Sequence, residues 1–157
     1  MVVKDIVQRN KINDVNLLNL ILNFLMDNIA NPFTAHCITS APIASGIVTT
    51  LEKVITYIEH VKNAMIMDSV QCYDIKCKKL LTANEKYYCV DLGLHNIVKT
   101  SNDIDLNKLY ENIIYLELLS RGYKIRGGKT DNYEIDFIAY KSMDRVYIQV
   151  CYLLATK

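Results

Sequence analysis

Between residues 106 and 150 the spacing of the apolar residues changes from one that suits a helix to one that suits strands, and a glycine stands at the change. In LNKLYENIIYLELLSR, Leu109, Ile113 and Leu116, with either Ile114 or Leu118, can share one side of an amphipathic helix. Gly122 ends it, because helices often close on a residue of positive φ that glycine adopts without a steric penalty. YKIR, YEIDFIAY and VYIQVCYL then read as three strands. A helix followed at once by three strands buries its apolar side by lying over the layer they make, so this half of the chain is constrained to an α+β arrangement.

The first half is helical. Asp14 is placed to cap a helix over about 15–29, with Val15, Leu18, Leu22, Leu25 and Ile29 at helical spacing and Leu17, Ile21 and Phe24 widening the face. Thr34 starts a short second helix, interrupted near Pro42. Thr49-Thr50-Leu51-Glu52 has the capping-box pattern and predicts a third helix to about Ala64, with Val54, Ile55, Ile58 and Val61 inward. MIMDSVQCYD (65–74) and EKYYCVD (85–91) then read as a hairpin around the lysine-bearing turn DIKCKKLLTAN. Three helices followed by a hairpin is the order of a winged helix. Asp91 to His95 leads into another helical turn, and the polar joint KTSNDID (99–105) divides a winged-helix domain, 1–98, from a second domain, 99–157.

Composition excludes some functions. The 157 residues are 51% hydrophobic and 22% charged, as in a folded globular protein, and a net charge of +1 gives the molecule no overall bias toward nucleic acid or anionic membrane. Five cysteines, odd in number and widely spaced, argue against a disulfide framework, and Cys72-x4-Cys77 lacks the second ligand pair a structural zinc needs; His36-Cys37 is no stronger. Reduced thiols, no signal-peptide pattern and no apolar run of the ~20 residues that span a bilayer lead to the expectation of a cytoplasmic protein with no membrane partner.

GGKT at 127–130 imitates the end of a phosphate-binding loop. The first glycine of that loop would have to stand at position 123, which is Tyr123, and the loop would have to open a helix, whereas Tyr133 to Tyr140 alternates like a strand. Gly127-Gly128 is expected instead to give a hairpin its backbone freedom. No ATP site is visible in the chain.

The order helix, Gly-Tyr turn, strand, hairpin, strand bearing E-x-D, third strand resembles the front half of a restriction-endonuclease-like core. Such a core carries one carboxylate on its first helix, an Asp on its second strand and E-x-K on its third, so that carboxylates hold Mg²⁺ against a phosphate and the Lys helps to activate water. Here Glu111 is the helix carboxylate, Glu134 and Asp136 share a strand face, and Gln149-Val150-Cys151 stands where E-x-K is expected. Gln brings no negative charge and a thiol cannot replace an ammonium, so this is a degenerate site, with Glu111 and Asp136 as its metal candidates and Glu134, Gln149 and Cys151 around them.

Taken together, KDIVQRNKI, FLMDNI, VITYIEHVKNAMIM, YDIKCKKLL, EKYYCVDLGL, ENIIYLELLSRGYKIRGGK, EIDFIA and YIQVCYLLA resemble the C-terminal region of a large family of prokaryotic AAA-type ATPases. E-N-x-x-Y-x-E-L-x-x-R-G-Y and E-I-D-F…Y-I-Q-V carry most of the likeness. The resemblance implies a winged helix followed by a restriction-endonuclease-like domain of unknown function, here a truncated αβββ unit, with ATP bound only by an ATPase module that this chain lacks. It implies a fragment, since the family runs on past Y-I-Q-V into a further helix and strand. Cys77 and Lys53 stand where the family usually has Gly and Thr.

The expected function is therefore a non-catalytic accessory region of such an ATPase, partnered by its ATPase module and by DNA or a protein. A weak Mg-dependent DNA nuclease using Glu111 and Asp136 is the first alternative, and a DNA-binding winged helix the second. For DNA contact the sequence offers Lys53, Lys76, Lys78 and Lys79, with Lys86 on the same hairpin, although no Lys or Arg stands between Lys11 and Lys53. If the chain ends at Lys157, its last strand leaves an edge open to pairing as a homodimer.

Overall fold

Six helices and six strands are arranged as an α+β fold in the computed structural model, which describes residues 2–77, 79–99, 105–130 and 133–153. In chain order they are α1 (Val2–Asn10), α2 (Val15–Asp27), β1 (Pro32–Phe33), α3 (Ala35–Ala44), α4 (Leu51–Asn63), β2 (Met67–Asp74), β3 (Lys79–Cys89), α5 (Leu92–Val98), α6 (Leu106–Ser120), β4 (Lys124–Lys129), β5 (Glu134–Lys141) and β6 (Asp144–Ile148). Two compact units form, within residues 1–28, 33–68 and 89–102, and within 29–32, 69–88 and 103–157. They do not divide at 98/99, because hairpin residues 69–88 group with the second unit.

The first unit holds α1 to α5. Asp14 caps α2 as expected, accepting from Leu17 N at 3.0 Å and from Lys53 Nζ at 3.1 Å. The Leu17 bond first, and then Lys53, holds the Asp14 carboxyl below its ordinary pKa. Leu17, Leu18, Ile21, Leu22, Leu25 and Met26 are all buried, so α2 is the central helix, although Val15 in its first turn is exposed. The α4 cap falls one residue later than the capping-box pattern places it. Thr50 accepts from Lys53 N at 3.3 Å, while Thr49 Oγ1 is buried and, among the described residues, has no hydrogen-bond partner. Tyr57 joins Val54, Ile58 and Val61 inward, and Ile55 is exposed. His95 of α5 is buried with Nε2 3.0 Å from Met26 O.

The second unit is built on the sheet, whose strand order is β1-β3-β2-β4-β5-β6. β2 runs parallel to β4, with Cys72 opposite Gly127 and Asp74 opposite Lys129. The hairpin is therefore a pair of sheet strands and not a free wing, and past the end of β2 Cys77 N donates to Asp74 Oδ1 at 2.7 Å. β4, β5 and β6 form an antiparallel meander. Gly127 and Gly128 lie inside β4 instead of making its turn; a Cβ on Gly128 would sit 3.0 Å from Ile135 Cβ and 3.1 Å from Ile138 Cδ1. The turn itself begins at Thr130, whose N and Oγ1 both donate to Tyr133 O.

α6 ends as the sequence predicts, with Gly122 at φ +78°, but its buried side is rotated. Glu111, Asn112, Tyr115 and Leu118 face inward and Ile113 is 46% exposed. Tyr115 and Leu118 pack with Val70, Tyr88, Phe137 and Ala139, and the Tyr88 and Tyr115 rings stack at 4.2 Å.

Candidate functional site

Polar groups on the inward side of α6 must find partners within the second unit, and they find them on β3 and β5. Lys86, at 0% exposure, places its Nζ 2.9 Å from Glu111 Oε1, 2.7 Å from Glu134 Oε1 and 3.4 Å from Asp136 Oδ1. Tyr88, two residues along β3 and so on the same face, donates its hydroxyl to Glu111 Oε1 at 2.8 Å. Glu111 Oε2 lies 3.5 Å from Lys108 Nζ, one helical turn earlier, and Asp136 Oδ2 accepts from Val150 N at 2.8 Å.

A register break aims Asp136. Arg126 pairs with Ile138 and Gly128 with Ile135, so β5 advances three residues while β4 advances two. The extra residue lets Asp136 and Phe137, neighbours in sequence, both face the α6 side, one into the ion cluster and the other against Tyr88 and Tyr115.

Burial by itself would lower the pKa of the Lys86 ammonium. The charge of Glu111, together with hydrogen bonds to Glu134 and Glu111, outweighs it and holds the group above the ordinary lysine value. Burial, reinforced by the Glu111 charge, raises the Tyr88 phenol as well. At neutral pH Lys86 is therefore a cation and Tyr88 a neutral donor.

The cluster does not fit a divalent cation. Both oxygens of Glu111 and both of Asp136 already face a donor, and the ammonium stands between the carboxylates that would have to share the metal. Among the described residues, no group of three or more His, Cys, Asp and Glu side chains could hold a metal ion.

Of the residues singled out from sequence, Glu111, Glu134 and Asp136 are thus brought together. Gln149 and Cys151 are not in a strand: β6 stops at Ile148, both are exposed, and the backbone of Val150 between them reaches Asp136. Lys53 pairs with Asp14 and lies 5.7 Å from the Tyr57 ring centre, and Lys76 is exposed. Lys78 lies outside the described residues, and of Lys79 only the backbone is described, at the start of β3. The sequence reading missed Lys86 as a site residue, grouping it with the hairpin lysines, and missed Tyr88 and Lys108. One signal was present: two carboxylates at nuclease-like positions, with Cys151 where the pattern expects a lysine, require a cation from elsewhere, and Lys86 alternates with Tyr88 in an aromatic strand.

The described residues contain no helix long and apolar enough to cross a membrane. No family model matches the chain, and no solved structure matches it. An uncharacterized protein of Haemophilus influenzae is 32% identical over 152 residues, 97% of this chain and 38% of that protein. An uncharacterized protein of Methanocaldococcus jannaschii is 26% identical over 155 residues, 96% of this chain and 34% of its own length. The chain thus spans little more than a third of the curated relatives it matches.

Proposed function

We propose that this chain is a non-catalytic accessory region of an AAA-type ATPase, in which a nuclease-like site has become a structural ion cluster. One observation supports the reading: the fully buried Lys86 ammonium stands between Glu111, Glu134 and Asp136, the carboxylates that the resemblance to a nuclease core would turn toward a metal. A lysine kept protonated in this way is neither a base nor a nucleophile, since both roles need the free amine. The cluster instead joins α6 to β3 and β5, and the unit serves its parent as a docking body for DNA or a protein while an ATPase module hydrolyses ATP. The motif order supports the ATPase parentage, and the relatives, each more than twice as long as the stretch they share with this chain, have room for such a module.

The test is plasmid cleavage by purified protein in Mg²⁺ or Mn²⁺. The reading expects no nicking above buffer. Nicking by wild type that disappears in Asp136→Ala would refute it and restore the weak-nuclease alternative.

A further inference from the structure

On β4, β5 and β6 the cross-strand pairs Lys124–Tyr140, Arg126–Ile138, Tyr140–Arg145 and Ile138–Tyr147 place these residues on one face. It is the face opposite α6, because Phe137 and Ala139, of the other parity, pack against Tyr115 and Leu118. Charge and aromatic groups alternate across it. The Arg126 guanidinium lies 5.7 Å from the Tyr73 ring centre and 5.9 Å from that of Tyr140. Arg145 lies 5.0 Å from the same Tyr140 ring and donates to Tyr147 Oη at 3.4 Å. The row Tyr73, Arg126, Tyr140, Arg145, Tyr147 thus crosses β2, β4, β5 and β6 over the buried Ile138, with Lys124 beside it. No residue of this parity on β4, β6 or β5 from Ile138 onward is acidic, while Glu134 and Asp136 are engaged around Lys86 on the other side.

We propose that this arginine–tyrosine row binds single-stranded nucleic acid. Its chemistry is that of a sequence-tolerant single-strand platform: cations that follow a phosphate backbone, interleaved with π surfaces on which unpaired bases stack. Each guanidinium lies over a tyrosine ring before binding, so less entropy is lost when its donors meet a phosphate. Arg145 and Tyr147 are exposed on the edge strand β6 and offer the accessible end of the row. A duplex keeps its bases stacked inside and can use only the cations. The proposal goes beyond the accessory-region reading and does not depend on ATPase parentage; its failure leaves the ion cluster and the plasmid test untouched.

The test is fluorescence polarisation with a labelled oligothymidylate of about 20 nucleotides, longer than the roughly 4–16 that one such platform covers. Wild type should bind with a Kd of roughly 1–100 µM at physiological salt. Arg145→Glu should weaken binding about tenfold or more, and Arg126→Ala with Arg145→Ala should flatten the log–log salt slope by about 1.4, near 0.7 per cation lost. Tyr147→Ala should cost about tenfold at every salt concentration, because stacking is not screened. Lys4→Glu, exposed on α1 and outside the row, should bind within about twofold of wild type, while Lys76→Glu tests the hairpin lysines as the rival contact. Should Arg126 variants fail to fold, the exposed Arg145 and Tyr147 variants decide alone. No binding by wild type, equal affinity for duplex, or loss in Lys76→Glu without loss in Arg145→Glu and Tyr147→Ala would overturn the proposal.

Discussion

A fully buried ammonium persists only where several acceptors replace its water, and Lys86 has three carboxylates. Removing the cation while leaving Glu111 and Asp136 inside should be costly. Lys86→Met is expected to destabilise the fold by about 3–5 kcal/mol in denaturant titration. Adding Glu111→Leu and Asp136→Asn should recover much of the loss, because the penalty lies in the unpaired charges and not in the missing contacts. The alkaline limb of stability follows from the same groups. Lys86 and Tyr88 both have folded pKa values above their unfolded ones, near 10, so they stabilise fully below about pH 10 and the contribution is lost as pH rises toward the folded values. Stability should therefore be insensitive to these two groups between pH 6 and 9, roughly, and fall steeply above about pH 10, a fall that the Met/Leu/Asn triple variant with Tyr88→Phe should lack.

At the scale of elements, β4 and β5 depend on close approach. Gly128→Ala should destabilise by about 1–3 kcal/mol, since the new methyl group meets Ile135 and Ile138 near 3 Å in strands held on both sides. The two threonines before α4 should differ in thermal unfolding: Thr50→Ala loses a cap worth about 1 kcal/mol, whereas Thr49→Val removes a buried hydroxyl that has no partner among the described residues and should be neutral or stabilising. Local chemistry made much of this legible. Asp14, Thr34 and Gly122 mark helix ends where the structure has them, because a cap acts within four residues. The phase of α6 was not legible. A hydrophobic pattern favours Leu109, Ile113 and Leu116 as the inward side, and it cannot register that Glu111 and Asn112 are buried when Glu111 draws its donors from β3. The bulge in β5 escaped for a related reason, since it exists only in the register with β4.

For the whole molecule, the sequence order of three helices and a hairpin suggested a wing, yet β2 takes a parallel partner in β4, some fifty residues later. That non-local pairing brings β3 beside the αβββ unit and, with it, the lysine missing from the position after Gln149 and Val150. Of the candidate site, the carboxylates could be read from spacing, and their cation could not. Isothermal titration of the folded protein with Mn²⁺ tests the central claim, that the Lys86 ammonium has taken the metal's place. The account predicts no binding heat for wild type at millimolar metal. Saturable binding by wild type that is lost in Asp136→Asn would contradict it.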